Sequence, residues 1–472
     1  LQALERSIAV KAKPELEPRY AELDKLQARS ATLKAEWSQR RVERYRRWMK
    51  LRDLSPKTVG LPQDQPQVRL QVPAPADAEQ RMVRFAARND AEQTRALAEK
   101  IGRYLDLDTP GLKDVRAQLQ AENWQAALDE YKAFFIRKMR DLNRYGVPES
   151  VFRDWMLQRH EPCAEIVSDA MRGVFHVAYR GRTLTADLGR PGAMQWCFIS
   201  DDYPGWSTEN CLVEFYRSFG RPFREDTSIR LLLDAYIGSG DPAHLRRWCE
   251  IMDDWCLNWR VDVERYPDNI RHYDAIAARD LTVLLGKLHV AACMQENFAD
   301  DLAAATLVRV LMQSIEEYNS AVIRTKRSTI FNWTAMGLDH LFRNAFILPE
   351  FRTSQWTLVE SRKLAERELT LTIAPDGGVR EFSDFGHQGV WAWVYTNMLR
   401  MLGEAKPSWF TADYEREFRD LYERNLRFRV RHLKPDGHRH NEDFRDTRFI
   451  FFDANPWQDG PHSLELQAPY LF

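Results

Sequence analysis

The chain has 472 residues, of which 44% are hydrophobic and 29% are charged. This composition is typical of a globular protein and excludes a mostly disordered or collagen-like chain. Lysine plus arginine (68) balance aspartate plus glutamate (69) to a net charge of -1, so no global attraction to nucleic acid or anionic lipid is expected. No run of 18 apolar residues occurs, which predicts no membrane-spanning helix.

The N-terminal part of the chain is predicted to form an extension. Residues 1–54 are charged and helix-prone, with apolar residues at loosely helical spacing. Residues 55–77 carry five prolines, which remove backbone donors and fix φ, so this stretch is predicted to be a linker or an extended strap. We therefore place residues 1–78 together as an N-terminal helical extension and Pro-rich linker.

Helix follows helix from about residue 79 onward. Amphipathic patterns cover 121–142, 278–294, 300–324, 353–373, 389–402 and 413–433. Residues 228–259 predict two helices, because Gly238 and Gly240 end the first and Asp241-Pro242 opens the second. Strand-like alternation is sparse, and 174–188 is predicted to form one hairpin.

This pattern predicts an all-α-dominated fold. Helix pairs joined by short loops favour an α/α toroid, that is, an incomplete α/α barrel, over residues 79–450. No fixed period with a recurring motif occurs, which disfavours a helical repeat array. Residues 451–472 are predicted to be a C-terminal tail.

The stretch 332–387 holds the most informative motifs. In chain order they are Asn332-Trp333, Pro349-Glu350-Phe351, Trp356, Pro375-Asp376-Gly377, and Glu381, Ser383 and His387. Their order and spacing resemble the N-terminal toroid of the heparinase II/III-like polysaccharide lyases. Weaker similarity at Asn123-Trp124, 231–259 and 434–437 extends the resemblance to roughly residues 100–450. The resemblance also implies that residues 451–472 are either a tail or the start of a β-sandwich.

The resemblance implies β-elimination on a uronic-acid sugar. The proton at C5 lies beside a carboxylate, so the carboxylate must be neutralised before a base removes that proton. By resemblance, Asn332 neutralises the carboxylate and His387 is the base. The family's tyrosine before the histidine is replaced here by Gly386. Tyr395, eight residues after His387 and so near the same helix face, is the candidate for the missing acid.

Further residues are candidates for substrate binding. The resemblance implies that the neighbourhood of Arg271, His272 and Tyr273 supplies an arginine and aromatics to the cleft. The other candidates are Trp333, Trp391, Arg343 and Glu381.

Several of these candidate residues can have a structural role instead of a functional one. Asn332 can cap its helix, the tryptophans can be core residues, and Glu381 can pair with Arg380. His340, eight residues after Asn332, is predicted to be a surface residue.

The expected partner is an acidic polysaccharide or oligosaccharide, with no nucleic acid and no cofactor. No metal is expected, because the six cysteines form no Cys-x-x-Cys pair and the polar residues after Gly437 suit a solvated loop. The resemblance implies a secreted or periplasmic protein. Two alternatives stay open. One is an α/α-toroid glycoside hydrolase, which needs two carboxylates across the cleft and could draw them from Asp376, Glu381 and Asp384. The other is a non-catalytic carbohydrate-binding or assembly protein derived from a lyase, which Gly386 favours.

Overall fold

The computed structural model describes residues 57–59, 66–153, 155, 160–179, 182–196, 228–258, 273–325, 332–373 and 385–431. Most of these residues are helical. The first half contains β1 (Lys57–Val59), β2 (Gln67–Leu70), α1 (Ala78–Ala86), α2 (Ala91–Tyr104), α3 (Lys113–Gln120), α4 (Trp124–Arg140), α5 (Glu149–Phe152), β3 (His160–Pro162), α6 (Ala164–Arg172), β4 (Val174–Tyr179) and β5 (Arg182–Asp187). The second half contains α7 (Ser228–Ser239), α8 (Pro242–Asn258), α9 (Tyr273–Met294), α10 (Phe298–Asp301), α11 (Ala304–Thr325), α12 (Asn332–Ile347), α13 (Arg352–Thr372), α14 (Phe385–Ala405) and α15 (Ala412–Arg431).

The break between α7 and α8 lies where the sequence predicts it. Gly240 has a φ of +71°, a left-handed conformation that glycine adopts without a steric penalty. The Asp241 carboxylate accepts a hydrogen bond from the Ala243 N–H at 2.9 Å and so caps the start of α8. Pro242 is the first residue of α8, where its missing N–H costs nothing. The predicted pair of helices is confirmed.

A small sheet contains the predicted hairpin. Strands β4 and β5 pair antiparallel, with Val177 opposite Leu184. Strand β2 adds to the other edge of β5 in parallel, with Val68 opposite Leu184. Strand β1 pairs in parallel with β3. The Pro-rich segment therefore contributes two short strands, which makes part of it an extended strap. The predicted boundary at residue 78 stays a prediction, and residues 1–56 and 432–472 lie outside the described residues.

The second half of the chain forms two layers of helices. The inner layer is α7, α9, α12 and α14, each of which packs against the next. The outer layer is α8, α11, α13 and α15, and each of these packs against the inner helix that precedes it. Alternation of inner and outer helices is the architecture of an α/α toroid, so the predicted fold class is confirmed. Within the described ranges, no helix is both long and apolar enough to cross a membrane.

The short helix α5 marks one end of the inner layer. The His289 ring of α9 lies 5.5 Å from the Phe152 ring. Arg343 of α12 donates to the Val151 carbonyl at 2.9 Å, and Glu404 of α14 accepts from the Ser150 N–H at 2.9 Å. His289, Arg343 and Glu404 all belong to the C-terminal halves of their helices. The N-termini of α9, α12 and α14 therefore lie together at the opposite end.

Buried ion pairs connect the helices. Each pair joins elements far apart in sequence, and each leaves both charged groups nearly or fully enclosed. They are Lys138–Glu350, Lys287–Asp234 and Arg309–Asp253. Because an unpaired charge in the interior is costly, these pairs hold the helices in one register.

Candidate functional site

The inner helices bring two of the three predicted catalytic residues to one end of the fold. Asn332 is the first residue of α12 and His387 is the third residue of α14, and these two helices are neighbours. Tyr273 is the first residue of α9, on the other side of α12. Trp333 and Trp391 belong to the first two turns of α12 and α14. For these five residues the structure describes the helix backbone, which places them on adjacent helix starts.

The same end carries a favourable field for an anion. Each helix N-terminus has unsatisfied backbone N–H groups and the equivalent of roughly +0.5 of a unit charge. The N-termini of α9, α12 and α14 converge, so their fields add. This arrangement favours a carboxylate or sulfate at the predicted site.

Three predicted site residues lie outside the described residues. They are Arg271, His272 and Glu381. Asp376 and Asp384, the other carboxylates of the hydrolase alternative, lie outside them too. The roles of these five residues stay predictions.

Tyr395 is placed differently from its predicted role. It is the eleventh residue of α14, about 12 Å along the helix axis from His387. Its side chain is fully buried, and its ring packs edge-on against Phe418 of α15 with the centroids 5.5 Å apart. The helical spacing of His387 and Tyr395 indicated a shared helix face, but it does not record how deeply Tyr395 is buried. In this conformation the phenol is enclosed by protein, so Tyr395 acts as a core residue.

Arg343 also differs from its predicted role. Its guanidinium is paired with Asp339 at 2.7 Å and donates to the carbonyls of Val151 and Ser150. These contacts tie α12 to α5, at the end of the inner layer opposite Asn332. The structure therefore gives Arg343 a structural task, which spacing along the helix did not reveal.

His340 is half-buried and hydrogen-bonded, so the predicted surface position is wrong. Its Nδ1 lies 3.1 Å from the Thr282 Oγ1, which in turn donates to the Asn344 Oδ1 at 2.8 Å. A hydroxyl has one proton, so Thr282 must accept from His340, and His340 is assigned as the Nδ1–H tautomer. Its Nε2 is left as an acceptor. His340 lies about 12 Å along α12 from Asn332.

Burial keeps His340 neutral. Desolvation, together with the charges of Arg343 and Arg279, holds the pKa of His340 well below its usual value near 6.5. The sequence drew attention to His340 because it lies eight residues after Asn332. It gave no sign of the contact with Thr282, because Thr282 belongs to the neighbouring helix.

This shift predicts a pH dependence of stability. Below about pH 6.5 the unfolded chain binds a proton on this histidine that the folded chain does not bind, so stability falls as pH falls. The loss approaches about 1.4 kcal/mol per pH unit for one such group. Urea unfolding at pH 7.5 and 5.5 measures it. The wild type should lose about 1 kcal/mol more over this interval than His340→Gln. Equal losses would contradict the assignment.

Comparison with known proteins places the fold but not the family. No protein-family model and no curated protein matches the sequence. Among solved structures, a heparinase III with methylated lysines matches with a TM-score of 0.51 at 16% identity, covering 72% of this chain and 50% of that one. The heparan sulfate lyase HepC from Pedobacter heparinus matches with a TM-score of 0.47 at 13% identity, covering 72% and 49%. The chain thus spans about half the length of these structures. At these identities the first match supports the toroid fold alone.

Proposed function

We propose that this protein is a polysaccharide lyase that cleaves a uronic-acid-containing polysaccharide by β-elimination. The observation that carries the proposal is the placement of Asn332 and His387 on the starts of adjacent inner helices, at the end where three helix N-termini converge. The motif order in the sequence and the toroid shared with a heparinase III support the same reaction class.

The electrostatics of the helix starts suit this chemistry. The C5 proton is hard to remove because charge accumulates beside a group that is already anionic. Donors aimed at the carboxylate withdraw that charge. We assign this task to the Asn332 amide, assisted by the backbone N–H groups and dipoles of the helix starts. A neutral imidazole at His387 then accepts the C5 proton, the C4–C5 double bond forms as the C4–O4 bond breaks, and the departing O4 oxygen takes a proton from water.

Other residues are proposed to bind the sugar. Tyr273 and Trp333 are at the starts of α9 and α12, and aromatic rings stack on the C–H face of a pyranose. Arg271 offers a bidentate fork to a carboxylate or sulfate. Trp391, His272 and Glu381 complete the proposed binding set. An acidic polysaccharide is the proposed partner, and a secreted or periplasmic location is part of the same proposal.

The product distinguishes a lyase from its alternatives. Elimination creates a C4–C5 double bond, and the unsaturated uronate absorbs in the ultraviolet, whereas hydrolysis creates no double bond. Incubation with glucuronan, alginate, heparan sulfate and other uronate polymers should give an increase in ultraviolet absorbance on at least one. New reducing ends without absorbance would favour a hydrolase. Binding to a uronate polymer without any product would favour the non-catalytic alternative that Gly386 suggests.

A further inference from the structure

A cavity lies far from the proposed catalytic end. It has a volume of about 430 Å³, within the range of about 300–1,000 Å³ typical of ligand pockets. Helices α2 and α3, the loop between them and the first residues of α4 and α13 line it. Because α13 begins just after the C-terminus of α12, the cavity lies about one helix length from Asn332. It is therefore separate from the proposed lyase site.

The floor of the cavity is kept open by a glycine. Gly102 lies in the last turn of α2, where glycine costs up to about 1 kcal/mol relative to alanine. No close packing demands it, because the nearest atom to an added Cβ would be the Leu119 Cδ1 at 3.8 Å. Nor is its φ positive. Because Gly102 has no side chain and Ala98 has a small one, space is left above this face of α2.

An aromatic wall stands at one side of the cavity. Trp124 lines the cavity and is half-buried. The Arg95 guanidinium lies over the indole at 5.7 Å from the ring centroid, and Arg95 is itself paired with Glu99 at 2.8 Å. The cation–π contact favours this orientation of the ring. A flat indole suits the C–H face of a sugar ring.

Polar groups surround the cavity and are held in place. The loop residue Asp106 donates its backbone N–H to the Glu350 carbonyl at 2.8 Å, and Arg352 donates Nε to the Leu105 carbonyl at 2.9 Å. Among the described residues, the amide of Gln120 and the terminal nitrogens of Arg352 have no hydrogen-bond partner. These groups, with the Asp106 carboxylate, offer both donors and acceptors to hydroxyl groups.

The ion pairs of the lining leave no net charge to attract an anion. Glu99 is neutralised by its pair with Arg95, so Asp106 and Asp108 stand against Arg116 and Arg352. Arg116 is neutralised by its pair with Asp108 and also donates to the Leu107 carbonyl. A uronate would meet the Asp106 carboxylate as well as Arg352, so its charge gains no net attraction here, whereas neutral hydroxyls find both donors and acceptors.

We propose that this cavity, defined by Gly102 and Trp124, is a second carbohydrate site that binds a neutral pyranose of a glycan chain. The ring stacks on the Trp124 indole above the Gly102 floor, and its hydroxyls bind Asp106, Gln120 and Arg352. The site holds a glycan away from the catalytic end and takes no part in the chemistry. It does not depend on the proposed lyase activity.

The test uses the full chain and defined probes. Neutral tetrasaccharides of β-1,4-linked glucose and N-acetylglucosamine, and an acidic tetrasaccharide of glucuronate, are titrated by calorimetry. Protein labelled with 5-fluorotryptophan is titrated in parallel by fluorine NMR, with the Trp124 signal assigned from Trp124→Phe. A neutral probe should bind and shift the Trp124 signal. The acidic probe should bind no more tightly than the neutral probe at this site.

Matched variants isolate the cavity. Gly102→Met fills the floor without removing any group, while Gly102→Ala leaves the cavity open and is the control. Trp124→Ala removes the wall, and its control is Trp409→Ala, which removes another half-buried tryptophan with an arginine over its ring at 5.2 Å. Gly102→Met and Trp124→Ala should weaken binding at least tenfold, and both controls should keep it.

Three results would overturn the proposal. They are a Trp124 signal that no neutral probe shifts, equal affinity of Gly102→Met and Gly102→Ala, and tighter binding of the acidic probe. None depends on whether the chain cleaves a polysaccharide. The ultraviolet assay can therefore show no product while the neutral probe binds beside Trp124. Equally, product can form while no probe binds there.

Discussion

Glu350→Ala is expected to destabilise the protein by about 3–5 kcal/mol. Glu350 pairs with Lys138, and both side chains are completely buried. Removal of the carboxylate leaves an ammonium in the interior without its counter-charge, while desolvation already lowers the pKa of Lys138. Chemical unfolding monitored by circular dichroism measures the loss. An effect below about 1 kcal/mol would show that the pair is not buried in solution.

Two variants at the same place serve as controls. The Tyr131 hydroxyl is buried, and among the described residues it has no hydrogen-bond partner. Tyr131→Phe removes this hydroxyl and should therefore be nearly neutral, or slightly stabilising. The double variant Lys138→Met with Glu350→Leu removes both charges and should recover most of the stability lost by Glu350→Ala. Recovery would attribute the cost to the unpaired charge rather than to lost volume.

Glu350 also illustrates what a motif can and cannot predict. Its position in Pro349-Glu350-Phe351 was part of the pattern that indicated a lyase toroid. In the structure it joins α4 to the turn between α12 and α13. Phe351 pairs with Leu105 through an isolated bridge. This motif residue is thus explained by assembly of the helices, and no contact with a substrate is needed to account for it.

The fold could be predicted further than the site. Helix positions follow from the period of apolar residues and from local signals such as Gly240, Asp241 and Pro242, which act within a few residues. The depth of a side chain depends on the neighbouring helix instead. Phe418 encloses Tyr395, and no feature of α14 alone records that contact. Helical spacing therefore gave the correct helix for Tyr395 but the wrong surroundings.

Cross-helix partners account for the remaining differences. Thr282 of α9 determines the tautomer of His340, and Val151 of α5 holds Arg343. In both cases the partner is more than 50 residues away in the chain. The cavity above Gly102 was missed for the same reason, because its floor, wall and rim come from four helices and a loop. A glycine inside a helical pattern was the one local signal for it.

Under the proposed mechanism, His387→Ala is expected to lower kcat/KM by about 10²–10⁴-fold on any polymer that gives the ultraviolet signal. The reason is the loss of the proposed base, which affects proton removal and leaves most of the sugar contacts in place. The loss should therefore appear in kcat, with KM little changed. The ultraviolet assay measures both constants, and thermal unfolding checks that the fold is retained. Activity within tenfold of the wild type would remove His387 from the mechanism.

Asn332 allows catalysis to be separated from helix capping. Asn332→Asp keeps a side chain that caps a helix as well as asparagine does, but it replaces the amide donor with a negative charge. Asn332→Ser also keeps a cap, and its shorter hydroxyl reaches the substrate carboxylate less well. Both variants should unfold at nearly the wild-type temperature. Asn332→Asp should lose about 10²–10³-fold or more in kcat, because the proposed donor to the developing charge is gone and a repulsive charge replaces it.

Tyr395→Phe completes the comparison. If the phenol were the acid, as the spacing from His387 suggested, its loss should cost about 10²-fold or more. Because Tyr395 is enclosed beside Phe418, the expected result is activity within a few-fold of the wild type. A large loss in Tyr395→Phe with an unchanged unfolding temperature would mean that α14 and α15 separate during the reaction, since no substrate could otherwise reach the phenol.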